Sequence, residues 1–123
     1  MKRVTGVGGI FFKAKDPKAL YEWYRTHLGI ESSPEAGAMF RAGDDPEALT
    51  IWSIFPQDTK YPGSPERAFM MNFRVDDLKA LLQALREEGV QVDEKFEEHE
   101  YGKFGWITDP EGNRVELWEP PKE

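Results

Sequence analysis

The fold of this chain is predicted best from residues 109–119, which read Asp-Pro-Glu-Gly-Asn-Arg-Val-Glu-Leu-Trp-Glu. The first four of these residues form a turn signal, because proline presets φ and glycine accepts the positive φ of a tight turn. The residues that follow alternate in character, with Val115 and Leu117 on one face of a predicted strand. Glu116 lies between them, so we predict an acidic side chain that points away from the apolar layer.

The composition limits the classes of protein to which the chain can belong. A length of 123 residues suits one domain with its own core, and the lack of cysteine excludes disulfides and thiolate chemistry. The formal net charge of -7, without a basic stripe, argues against a nucleic-acid partner. No apolar run reaches the length of a signal peptide or a membrane span. We therefore expect a cytoplasmic protein that does not bind membranes.

Two amphipathic helices are predicted from their start and stop signals. Asp16 and the proline after it suit the cap and the first position of one helix, and Gly29 ends it. Asp77 begins the second helix, which has a stripe of four leucines and ends at Gly89. Both helices follow an apolar strand, near residues 7–13 and 68–75 respectively.

Short predicted strands follow each helix and give the chain an internal repeat. After the first helix there are two or three, near residues 30–32, 38–42 and 49–55; after the second there are three, near 90–96, 103–108 and 113–118. Lys18-Ala19-Leu20 recurs as Lys79-Ala80-Leu81, and Asp45-Pro46-Glu47 recurs as Asp109-Pro110-Glu111. We predict a single α+β domain of two βαβββ modules, residues 4–55 and 68–119, joined by a proline-rich linker, residues 56–67.

These features together resemble the vicinal oxygen chelate superfamily, which includes glyoxalase I, bleomycin and fosfomycin resistance proteins and extradiol dioxygenases. The resemblance is carried by the strand and helix that end at Leu28-Gly29, by a second such unit from Met70, and by the closing DPEGNRVEL. It covers about residues 7–119. It implies a curled mixed sheet that forms a cup around a ligand, with the helices outside, and it implies a homodimer.

The resemblance also implies positions for metal ligands on the first and last strands of each module. Carried over residue by residue, those positions are Gly9, Trp52, Met70 and Glu116. Only Glu116 carries a donor suited to a hard or borderline divalent cation. We therefore expect no cofactor, and a divalent metal is disfavoured. His99 lies in an acidic run and is expected either in a solvated turn or in a flexible lid over the cup.

Strand alternation predicts which side chains line the cup. One set of faces, with Ile10, Phe12, Met71, Phe73, Val75, Val115 and Leu117, is apolar enough to pack under the helices. The opposite faces supply the candidate ligand-binding residues, which are Phe11, Trp52, Met70, Asn72, Arg74, Arg114, Glu116 and Trp118. Because four of these side chains are polar and costly to bury without partners, an open pocket is favoured over a closed core.

Several functions are compatible with these residues. The first hypothesis is metal-free binding of a small organic molecule in an aromatic-lined cup, as the likeness to bleomycin resistance proteins implies. The alternative is a metal-dependent glyoxalase-type lyase or isomerase, or a dioxygenase, with Glu116 as a ligand. Glu116 could also act as a catalytic base without a metal, or form a structural salt bridge to Arg74 or Arg114. A purely structural role fits the polar cup less well.

Overall fold

The computed structural model describes residues 3–33, 36–43, 48–63 and 66–122. In these ranges the chain forms two helices and seven strands, which confirms the α+β class. The elements are β1 (Val4–Ala14), α1 (Pro17–Leu28), β2 (Ala38–Arg41), β3 (Leu49–Pro56), β4 (Phe69–Val75), α2 (Leu78–Glu87), β5 (Gln91–His99), β6 (Gly102–Thr108) and β7 (Arg114–Glu119). Neither helix is long and apolar enough to span a membrane.

The chain groups into two compact units whose boundary cuts through β1 and β4. We call residues 9–70 the first unit, and residues 1–8 with 71–123 the second unit. The start of β1 therefore belongs with the second half of the chain. One copy of the predicted repeat, Asp45-Pro46-Glu47, and part of the predicted linker lie outside the described residues.

In the first unit, β3 pairs with β1 in parallel and with β2 in antiparallel orientation. Helix α1 begins as predicted, because the Asp16 side chain accepts a hydrogen bond from the backbone nitrogen of Ala19 at 3.1 Å. It ends at Gly29, whose φ of 70° is left-handed. Buried Tyr21 fastens α1 to β3 through its hydroxyl, which accepts a hydrogen bond of 2.7 Å from the backbone nitrogen of Ile54.

The strand considered near residues 30–32 is not formed. The backbone there is irregular, and the only pairing nearby in the described ranges is an isolated antiparallel bridge between Ser33 and Gly37. In the described part of the first module, two named strands, β2 and β3, therefore follow α1, whereas β5, β6 and β7 follow α2.

In the second unit, β7 pairs with β4 in parallel and with β6 in antiparallel orientation, and β6 pairs with β5 in antiparallel orientation. The leucine stripe of α2 packs on this sheet as predicted. Its core consists of Val75, Leu78, Leu81, Leu82 and Leu117, with Phe73 and Val115 partly buried against it. Two residues expected under the helices are exposed instead: Ile10 at 41% and Met71 at 37%.

Strand β5 is longer than predicted and continues through the acidic run to His99. His99 is therefore the last residue of a strand paired with Gly102 of β6, and the turn is confined to residues 100 and 101. The register of this pair shifts between Val92 and Phe96, which marks an irregularity of the β-bulge kind. Alternation alone could not show that cross-strand pairing would hold this charged segment extended.

Candidate functional site

The face of the second unit that lies opposite α2 carries most of the predicted polar residues. We call it the polar face and define it by Asn72, Arg74, Trp106, Arg114, Glu116 and Trp118. Glu116 lies on this face because its neighbours Val115 and Leu117 pack toward α2. Asn72 of β4 and Trp106 of β6 occupy the positions paired with Glu116 on its two sides. These three side chains therefore form a row across adjacent strands.

Asn72 and Glu116 are each only 2% exposed, so an amide and a carboxylate are buried side by side. The expectation that these polar side chains would line an open pocket was therefore wrong for this pair, because neighbouring strands and side chains cover both groups. The Oδ1 atom of Asn72 has no hydrogen-bond donor within the described part of the chain. Gly8 makes this packing possible, because a Cβ atom there would overlap Asn72 Oδ1 and lie 3.0 Å from Trp118. A buried amide oxygen without a donor is uncommon in folded proteins.

Trp106, which is 1% exposed, is covered by two cations. The guanidinium of Arg114 lies 4.9 Å from the centre of the indole and the ammonium of Lys95 lies 5.5 Å from it, both within cation–π range. Arg114 also pairs with Asp93 at 3.2 Å. The backbone hydrogen bond from Lys95 lowers the pKa of Asp93, and the bond from Arg114 lowers it further, against an opposing effect of burial.

Trp118 and Arg74 complete the polar face. The indole nitrogen of Trp118 donates a hydrogen bond of 3.0 Å to the backbone carbonyl of Tyr101, and its ring stacks on Phe104. Arg74 lies over the start of β1, where Gly6 leaves room for its guanidinium. The structure thus brings together five of the eight predicted ligand-binding residues: Asn72, Arg74, Arg114, Glu116 and Trp118.

The other three predicted residues, Phe11, Trp52 and Met70, lie in the first unit. Trp52 does not share a face with Phe11. Trp52 contacts Tyr21 and Tyr24 of α1, with ring centres 5.7 Å and 4.9 Å away, and so packs under the helix. The assignment of Trp52 to the same face as Phe11 was wrong. Phe11 stacks instead on Phe55 at 5.4 Å, and Met70 is 1% exposed.

The pairing of β1 with β3 explains this error. Ile10 pairs with Trp52 in parallel register, so Trp52 shares the face of Ile10 and not that of Phe11. In the first unit Phe11 of β1 pairs with Ser53 of β3, and the equivalent pair in the second unit is Asn72 of β4 with Glu116 of β7. The first-unit counterpart of Glu116 is therefore Ser53, one residue beyond the position that the sequence repeat indicated. Sequence spacing could not reveal this offset, because it depends on which residues of β1 and β3 pair in the folded chain.

The residues at the family's metal positions do not fit a divalent cation. Gly9 has no side-chain donor, Met70 offers only a soft thioether, and the indole of Trp52 packs against α1. If Ser53 is taken as the first-unit position instead of Trp52, Glu116 is still the one carboxylate among the four positions. Among the residues that the structure describes, no three His, Cys, Asp or Glu side chains come together as a metal group.

The family of the chain follows from its match to a known domain. Residues 9–118 match the model of the glyoxalase-like domain. The chain belongs to this family. The chain is thereby a member of the vicinal oxygen chelate superfamily, as the residue motifs predicted. A comparison with curated proteins found no match.

Solved structures of similar fold include methylmalonyl-CoA epimerases. The enzyme from Mycobacterium tuberculosis has a TM-score of 0.66 at 23% identity, covering 99% of this chain and 92% of its own. A methylmalonyl-CoA epimerase in complex with methylmalonyl-CoA has a TM-score of 0.70 at 19% identity, covering 95% of both chains. An NAD-dependent benzaldehyde dehydrogenase from Legionella pneumophila has a TM-score of 0.61 at 18% identity, covering 92% of this chain and 98% of its own. At these identities the likeness concerns the fold alone.

Proposed function

We propose that this glyoxalase-like domain binds a small organic molecule at the polar face of its second unit, through Asn72 and Glu116. The observation that carries the proposal is the burial of both side chains, each 2% exposed, at paired positions of β4 and β7. Leaving a buried amide oxygen without a hydrogen bond costs about 1–3 kcal/mol. A bound molecule that donates a hydrogen bond to Asn72 Oδ1 would remove this cost.

The chemistry of the polar face indicates the kind of molecule. The Asn72 amide can donate and accept hydrogen bonds, and the Glu116 carboxylate accepts them. The buried rings of Trp106 and Trp118 border this pair with apolar groups. We therefore expect a ligand with an N–H or O–H group and an apolar part. That a protein of similar fold is solved with methylmalonyl-CoA supports an organic ligand without identifying it.

The test is a fragment screen read by ligand-detected NMR and by thermal stability. Compounds that stabilise the wild-type protein should bind about tenfold more weakly to Asn72→Ala and to Glu116→Gln, because each variant loses a ligand hydrogen bond. Trp23→Ala is the matched control, since Trp23 is a half-exposed aromatic of α1 outside the polar face. Affinities that are unchanged in both site variants would refute the proposal.

A second candidate is a lyase or isomerase in which Glu116 removes a proton from the bound molecule. It is favoured by the buried position of this carboxylate next to Trp106. A bound compound with an acidic C–H should then exchange hydrogen with D₂O in the wild-type protein. Glu116→Gln should abolish the exchange even at saturating compound. Exchange that persists in Glu116→Gln excludes this role.

Metal dependence is tested separately, because the predicted absence of a cofactor is part of the proposal. Protein purified without chelator is assayed for metal and then titrated with Zn²⁺, Ni²⁺, Mn²⁺ and Co²⁺ while the melting temperature is followed. We expect no stoichiometric metal and no stabilisation at micromolar concentrations. A rise of several degrees that disappears in Glu116→Gln would support a metal-dependent glyoxalase-type enzyme or dioxygenase instead.

A further inference from the structure

Four aromatic rings at the β5–β6 hairpin form a continuous series, which we call the aromatic ladder: His99, Tyr101, Phe104 and Trp118. The rings of Trp118 and Phe104 are nearly parallel, with centres 6.3 Å apart and planes 11° apart. Phe104 meets Tyr101 at 5.7 Å, and Tyr101 is stacked on His99 at 4.9 Å with planes 15° apart. Every step is within the range of favourable aromatic pairs.

The ladder leads from the polar face to the surface. Trp118 is 6% exposed, and alternation along β7 places it on the same face as Glu116, two residues earlier. Tyr101, at the other end, is 58% exposed. Exposed aromatic rings continuous with a buried polar site are typical of binding surfaces.

The hairpin backbone at Tyr101 is held against Trp118, while the Tyr101 side chain is exposed. The indole nitrogen of Trp118 bonds to the backbone carbonyl of Tyr101, so the Tyr101 side chain is not needed for this contact. Gly102 has a φ of 130°, and a Cβ atom there would lie 2.5 Å from the Trp118 indole nitrogen. The backbone thus fixes the turn, so the Tyr101 ring, which is more than half exposed, is not required to hold it.

The hairpin beside the ladder carries acidic side chains, of which Glu97 has partners while Glu98 and Glu100 are exposed. Glu97 pairs with His99 at 2.9 Å and with Lys95 at 2.8 Å. The ring faces of the ladder are expected to attract an aromatic ligand of either charge.

We propose that the aromatic ladder is a stacking subsite for a planar ring, so that the ligand of the polar face carries an aromatic or heteroaromatic group. This inference rests on the proposed function and names the class of ligand. The ring of that ligand would stack on Tyr101 and His99 at the exposed end of the ladder, and the rest of a longer molecule would extend along the ladder toward Asn72 and Glu116.

The experiment compares ring compounds with their saturated analogues. The probes are 2-naphthylmethylamine and 2-naphthylacetate, each with its decahydronaphthyl counterpart, titrated against the wild-type protein. Dissociation constants are measured by calorimetry, and the ring protons of His99 and Tyr101 are followed by NMR. At least one naphthyl compound should bind about fivefold or more tightly than its saturated analogue, with shifts of both ring signals.

Matched variants separate stacking from a structural effect. Tyr101→Leu should remove the preference for the aromatic compound, while Tyr101→Phe should keep it, and both should melt close to the wild-type temperature. Trp23→Leu, which changes an exposed aromatic residue of α1, should also keep it. Equal affinity for aromatic and saturated compounds, or a preference that survives in Tyr101→Leu, overturns the inference.

The proposed function can fail independently of this inference. Compounds that bind without a ring preference, and lose affinity in Asn72→Ala, would refute the ladder while leaving the proposed function intact. If none of the probes binds the wild-type protein and the fragment screen also yields no ligand, both proposals are wrong.

Discussion

A carboxylate oxygen of Glu119 accepts a hydrogen bond of 2.8 Å from the backbone nitrogen of Leu78. The last residue of β7 thus holds the first residue of α2, and Asp77 caps the same helix through the backbone nitrogen of Ala80. The first N–H groups of a helix have no partner within it, and negative charge is favourable there. Both residues of the contact are buried, so the strand and the helix depend on each other.

Glu119→Ala is expected to lower the free energy of unfolding by about 1.5–3 kcal/mol, the usual value of a hydrogen bond to a charged group. Urea denaturation of wild type and variant measures the loss. Glu88→Ala is the control, because Glu88 belongs to an exposed ion pair with Arg3 and should have little effect. A Glu119 variant as stable as the Glu88 variant would contradict the importance of this contact.

The hydroxyl of Tyr21 provides a second test of how a helix is attached to its sheet. Tyr21→Phe leaves the buried backbone nitrogen of Ile54 without its acceptor, at 2.7 Å in the wild type. We expect a loss of about 1–3 kcal/mol in unfolding free energy. Tyr101→Phe, at an exposed tyrosine, should have no comparable effect. Equal stability of the two variants would show that the Tyr21 hydroxyl does not support Ile54.

The lowered pKa of Asp93 predicts that the stability of the fold decreases as the pH falls into the acid range. A carboxyl group whose pKa is lowered on folding stabilises the protein fully above its unfolded pKa, near 3.8, and the effect is lost as pH falls through the folded pKa. Because Asp93 is partly exposed, the effect should not exceed about 1 kcal/mol.

Melting temperatures of wild type and Asp93→Asn are compared from neutral pH to pH 2. The wild type should be the more stable above the unfolded pKa, and the curves should converge in acid. A difference that stays constant through this range would mean that ionisation of Asp93 is not its source.

The close approach of Gly8 to Asn72 predicts an interaction between substitutions. Gly8→Ala should destabilise the protein by about 1–3 kcal/mol, since the new methyl group overlaps the Asn72 amide. In an Asn72→Ala background the same substitution should cost less, because the overlap with the amide has been removed. A double-mutant cycle by urea denaturation measures this coupling, and strict additivity would refute it.

Local chemistry was enough to predict the helices and the family. Asp16 and Asp77 begin the helices, Gly29 allows the left-handed end of α1, and the leucine stripe of α2 faces the core. Glu116 was also placed correctly, because its apolar neighbours Val115 and Leu117 identify the core face within one short strand. Such signals act over a few residues and so can be read without the fold.

Only the tertiary structure decided how distant strands share a face. Trp52 packs under α1 because β3 pairs with β1 through Ile10, and a shift of one residue in this pairing reverses every side chain. Likewise, pairing with β6 extends β5 to His99, and Trp118 reaches the hairpin turn at Tyr101. The sequence by itself determined both helices, most of the strands and the family. The register between strands decided which side chains meet, because it depends on contacts between residues far apart in the chain.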